Sequence, residues 1–145
     1  MQADEEIANE FSFLGTERGF RCIHRSYHPA HFGNAIVEYL SASLRIRIVN
    51  DRGTFSCEFA RARNVPEWFD EYFVLRALGD DASLDALIAQ QWSLREVARR
   101  TRESLGRIIE LFEDGTYSGS VARFRELQRQ RETEVLASLS HRDNT

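Results

Sequence analysis

The chain has 145 residues, of which 42% are hydrophobic and 29% charged, and a formal net charge of −4. That is too apolar and too weakly charged for a disordered segment, and long enough to bury roughly 68–70% of the unfolded chain's surface around one core. No apolar run approaches the roughly 20 residues of a membrane span, and the acidic residues 1–10 lack a basic-then-apolar order, so no signal peptide and a cytoplasmic location are expected.

Residues 4–14 read as a short helix. Ile7, Phe11 and Leu14 recur at helical spacing, acids occupy the first turn, and residues 15–19 end it. Residues 20–27 alternate as a strand, with Phe20, Cys22 and His24 on one face and Arg21, Ile23 and Arg25 on the other. A turn containing Pro29 and Gly33 leads to a strand over residues 35–41, with Val37 and Tyr39 on one side.

The strongest pattern follows. Leu44, Ile46 and Ile48 alternate with Arg45 and Arg47; beyond Asn50-Asp51-Arg52-Gly53, Phe55, Cys57 and Phe59 alternate with Ser56 and Glu58. This predicts a hairpin with a four-residue turn. Val49 would face Thr54, Ile46 Cys57, Ile48 Phe55 and Arg45 Glu58, putting the apolar residues on one face. A one-residue slip would carry Arg45 and Arg47 into the core.

After Pro66 the period becomes helical. Residues 67–78 form a helix that is apolar nearly all round, stopped by Gly79. Ser83 caps a second helix over residues 84–91. Ser93, with Glu96 three residues on, caps a third, whose buried stripe is Leu94, Ala98, Thr101, Leu105, Ile108 and Phe112. Residues 114–119 break the chain, and a last helix runs from Ser120 to about Leu139, with apolar ends and a polar centre at residues 128–134. That helix projects, either as a hairpin with the third helix or toward a second copy, which leaves a homodimer open. The expectation is a single α+β domain over residues 1–145: an N-terminal helix and an antiparallel sheet of three or four strands in residues 1–65, then three or four helices in residues 66–145. The helices would cover one sheet face, leaving Arg45, Arg47, Ser56 and Glu58 wet.

Chemical motifs are scarce. The chain has no glycine-rich phosphate loop, no G-x-S-x-G, no H-E-x-x-H and no zinc spacing, so no catalytic residue, metal ligand or cofactor is assigned. Cys22 and Cys57 read as two small buried thiols. His24, His28 and His31 cluster, but without a nearby carboxylate to orient a ring, and read as surface residues. All 19 basic residues are Arg. Nine of them face 14 acids in residues 1–92 and ten face nine in residues 93–145, an asymmetry too mild for a nucleic-acid binder. The run Arg95, Arg99, Arg100, Arg102 and Arg107 is interrupted by acids, and Glu96–Arg100 and Glu103–Arg107 have the order of ion pairs on a solvated helix face.

The segment around residues 67–85 carries the strongest hint of a partner. Glu67, Asp70, Glu71, Asp80, Asp81 and Asp85 surround Trp68 and Tyr72, against the single Arg76. Carboxylates that steer and aromatics that anchor suit a basic protein partner.

Phe11-Ser12-Phe13-Leu14 before Gly19-Phe20, Val37-Glu38-Tyr39, the alternating Leu44–Ile48 strand running into Asp51-Arg52-Gly53, and Trp68-Phe69 opening an apolar helix make a pattern. Over residues 11–79 it resembles a set of small uncharacterised bacterial α+β proteins, some of them immunity-protein-like. The resemblance implies a protein that binds and blocks a toxin; it brings no catalytic residue with it. The function expected is therefore non-enzymatic protein binding. The alternatives are an enzyme acting on a small molecule or nucleotide, with His24, His28, His31, Glu38 and Glu58 as its candidate groups, and a structural homo-oligomer subunit using the C-terminal helices.

Overall fold

The computed structural model describes residues 1–64, 67–79 and 93–143. The expected helix over residues 84–91, and Asp80, Asp81 and Asp85 of the acidic segment, lie outside the described residues. The elements are α1 (Ala3–Glu10), α2 (Phe13–Arg18), β1 (Arg21–His28), β2 (Asn34–Leu40), β3 (Leu44–Asp51), β4 (Thr54–Arg61), β5 (Phe69–Asp70), α3 (Glu71–Ala77), α4 (Leu94–Leu111) and α5 (Tyr117–Asp143). The class is α+β, as expected, but the antiparallel sheet has five strands, in the order β1-β2-β3-β4-β5. No described helix is long and apolar enough to cross a membrane.

The N-terminal helix is broken where one was expected. Phe11, Phe13 and Leu14 are all buried, and one continuous helix would aim positions 11 and 13 in nearly opposite directions. A turn at Phe11-Ser12 brings both rings inward, 5.7 Å apart. Gly15 therefore lies inside α2, and Gly19, at φ 69°, ends it while the Phe20 N–H returns to the Leu14 carbonyl.

β1 also departs from simple alternation. The pairing passes from Cys22↔Tyr39 to His24↔Glu38, so Ile23 is an extra, bulged residue. The bulge inverts the parity of the strand: Cys22 shares a face with Arg25, and His24 does not follow Cys22. Only one of the two thiols is buried, since Cys22 is exposed at the sheet edge.

In the β3–β4 hairpin Ile46 faces Phe59, Ile48 faces Cys57 and Arg47 faces Glu58. The register is two residues away from the expected one. A two-residue shift keeps every side chain on its own face, so alternation cannot detect it. The turn decides it: Arg52 (φ 55°) and Gly53 (φ 87°) make a two-residue connection with both central residues left-handed. Buried Asn50 locks the geometry, accepting from the Gly53 N–H at 3.0 Å and donating to the Gly33 carbonyl at 2.9 Å.

The helix expected from residue 67 starts at Glu71. Phe69 pairs with Phe59 as a fifth strand, and the Asp70 side chain accepts from the Tyr72 N–H at 2.9 Å to cap the helix. Ser93 caps α4 as expected, and the whole predicted stripe of α4 is buried. The last helix begins at Tyr117, three residues early, with Gly119 inside it, and it packs on α3. The described helices lie over the sheet face that carries Val37, Ile46, Ile48, Cys57 and Phe59, where an aromatic cluster of Phe59, Phe69, Phe112 and Phe124 closes the core.

Candidate functional site

Strand alternation sends Ile36, Glu38 and Leu40 of β2, Arg45, Arg47 and Val49 of β3, and Ser56 and Glu58 of β4 to the face away from the helices, where they are partly exposed. Glu38 lies 3.6 Å from Arg45, and Glu58 accepts from the Arg47 guanidinium at 3.0 Å. The indole of Trp68 lies on Arg47, with the guanidinium carbon 4.1 Å from the ring centroid. Trp68 thus belongs to both surfaces of interest: the acidic segment by sequence and the open sheet face by position.

The rest of the predicted segment is divided. Glu67 is exposed and pairs with Arg125 at 2.9 Å. Asp70 spends its side chain on the helix cap, and burial raises its carboxyl above the usual range. The partly buried Tyr72 packs edge-on against Phe73, ring centroids 4.9 Å apart. Glu71 points the other way. It is 3% exposed, beneath α4, where its Oε2 lies 2.8 Å from the Thr101 hydroxyl.

Glu71, Thr101 and Cys57 form a sealed polar cluster on the inner face. Burial pushes the Glu71 carboxyl up to about 8, against the smaller opposing pull of Thr101 and Cys57. The Thr101 hydroxyl has one proton and two acceptors within reach, Glu71 Oε2 at 2.8 Å and the Val97 carbonyl at 2.9 Å. Among the described residues Glu71 Oε1 has no hydrogen-bond partner, a smaller cost for a neutral acid than for a carboxylate. Burial also holds the Cys57 thiol protonated, with Glu71 adding to the effect, so the cluster offers no nucleophile. Sequence reading missed it because Thr101 was one member of a core stripe and Glu71 one acid among six.

The histidines separate. His28 and His31 stand edge to face, ring centroids 6.2 Å apart, at a cavity of about 490 Å³ shared with Asn34, Asn50 and Asp51. His24 is on β1 opposite Glu38, while Glu58 is held by Arg47 across the sheet. Among the described residues no group of three or more His, Cys, Asp or Glu could hold a metal ion. On α4, Glu96 binds both Arg99 and Arg100, which lowers its carboxyl to about 2, chiefly through Arg99. Glu103 pairs with Arg99 at 2.8 Å, not with Arg107 as expected. No protein-family model, curated protein or solved structure matches the chain.

Proposed function

We propose that this chain is a non-enzymatic binding domain that engages a basic protein, as an immunity-type inhibitor engages its toxin, through a surface centred on Trp68. The observation that carries this reading is the stacking of Trp68 on Arg47 at the open sheet face, flanked by Glu58, Glu67 and Asp70. Trp and Arg are the residue types that dominate binding energy at protein interfaces, and here the sheet holds both in place before any partner arrives. The flanking carboxylates supply a rim that steers a basic surface inward.

The test is co-purification from the native cell lysate with the tagged chain as bait, followed by affinity measurement. A single stoichiometric basic partner is expected, with Trp68→Ala weakening it by more than about tenfold. Equal affinity of parent and variant rejects the surface; no partner, together with turnover of a small molecule, rejects the class. A second reading, a homo-oligomer subunit, is favoured by one observation: Val135, Leu136 and Leu139 stand exposed on one side of the projecting end of α5. A monomer by light scattering at tens of micromolar removes it.

A further inference from the structure

β1 is an outermost strand of the sheet, eight residues long. Among the described residues, no strand pairs with its outer side. Arg21 to Arg25 are all exposed, and Asp4 of α1 reaches Arg25 at 2.7 Å. Such an edge presents backbone N–H and C=O groups to another strand, with the His24 carbonyl accepting from Cys22 Sγ at 3.5 Å and the His28 carbonyl from the His31 N–H at 3.0 Å.

Charge says which strand. Residues 18–37 contain Arg18, Arg21 and Arg25 and three of the four histidines, but no Asp or Glu, in a protein whose net charge is −4. Two neighbouring carboxylates are already paired, Asp4 with Arg25 and Glu38 with Arg45. A second copy of β1 would therefore set cations against cations with no carboxylate in either strand to relieve them, and like charges on facing strands are destabilising. An extended segment carrying alternate carboxylates meets the opposite situation. The regular stretch from His24 to His28, beyond the bulge, would provide the ladder, and exposed Arg21 would provide the charge contact.

We propose that the free edge of β1 takes up an extended acidic segment of a partner protein as an additional strand. This goes beyond the Trp68 surface and stands independently of it, since β1 and β5 are opposite edges of the sheet. The competing account is that the cations merely keep the edge from pairing with anything.

The probe is a pair of end-capped eight-residue peptides, one alternating valine with glutamate and the other valine with lysine. Both are titrated into the full chain and followed by backbone amide shifts and hydrogen exchange. The glutamate peptide is expected to shift and protect amides of residues 21–28, and the lysine peptide is not. Arg21→Glu should weaken the glutamate peptide by about tenfold and Arg21→Gln by less. Arg21 is exposed and its side chain makes no hydrogen bond or ion pair among the described residues, so both variants keep the fold. Equal response to both peptides, protection elsewhere than β1, or a dimer that protects β1 without any peptide would each overturn the proposal.

Discussion

The two faces of this sheet use the same kinds of side chain to opposite ends. On the inner face Glu71 is sealed under α4 with Thr101 and Cys57, and burial favours its neutral form. On the outer face Glu38 and Glu58 sit partly exposed among arginines, with Trp68 stacked on Arg47. Burial decides the chemistry of a carboxyl here more than its sequence neighbours do: Glu71 follows directly on Asp70 in the chain, yet only Asp70 serves the helix cap. The inner face should carry the stability of the fold, and the outer face should be free to carry recognition.

That contrast is broken most directly at the aromatic cluster. Phe124 is fully buried, with its ring 4.8 Å from Phe69 and 5.8 Å from Phe112. Phe124→Ala should cost about 3–5 kcal/mol in a denaturant titration. A loss below about 1 kcal/mol would mean that α5 is not part of the same cooperative unit as the sheet.

The next effect depends on pH. The folded state holds Glu71 at about 8, above the ordinary value of 4.5. A raised carboxyl favours the fold below the unfolded value, and that contribution is lost as pH rises through the folded one. The window is therefore pH 4.5 to 8. At about 1.4 kcal/mol per unit, the loss across it is on the order of 4 kcal/mol. Glu71→Gln removes the titration while keeping an acceptor and a donor for Thr101. The variant should gain on the parent steadily from pH 5 to pH 8 in paired thermal melts. Parallel curves would show that Glu71 is ionised in the folded protein and finds a charge partner.

On the outer face the effects shrink. The side chains of Arg47 and Glu58 are 28% and 25% exposed, so their 3.0 Å contact is screened by water. A double-mutant cycle over Arg47→Ala and Glu58→Ala should return a coupling of about 0.2–1 kcal/mol, reduced by salt. A coupling well above that range would mark the outer face as a structural element and count against its being a free surface for recognition.

Much of this division was legible in the chain. Alternation assigned the two faces of β2, β3 and β4 correctly, and the spacing of Leu94, Thr101 and Ile108 assigned the buried stripe of α4. What escaped were the features set by contacts between distant residues. Phe69 reads as part of an apolar helix until Phe59 is there to pair with it. The bulge at Ile23 leaves no trace in composition, yet it breaks the alternation, so that Cys22 and His24 no longer share a face, and Cys22 is exposed at the sheet edge. Of the candidate site, Trp68 was legible as an aromatic among acids; its seat on Arg47 was not, because it depends on β5 folding back beside β4.

The smallest effect concerns how the faces are kept in register. Alternation permits any even shift of β3 against β4, so the turn has to choose. It does so with Arg52 in a left-handed conformation that arginine does not favour. Its N–H donates to Asn34 Oδ1 at 2.9 Å, and its guanidinium lies 4.8 Å from the centroid of the exposed Phe32 ring and 4.0 Å from the exposed Asp51 carboxylate. Asparagine adopts this conformation more readily and keeps the N–H, but loses the ring contact, which water already weakens. Arg52→Asn should therefore stabilise the hairpin by a few tenths of a kcal/mol, with unchanged pairing of Ile48 and Cys57 in the cross-strand contacts seen by NMR. If the variant is destabilised by more than about 0.5 kcal/mol, the contact with Phe32 outweighs the backbone preference. The two hairpin tips then act as one rigid corner, and the register of the outer face depends on a side chain as well as on the turn.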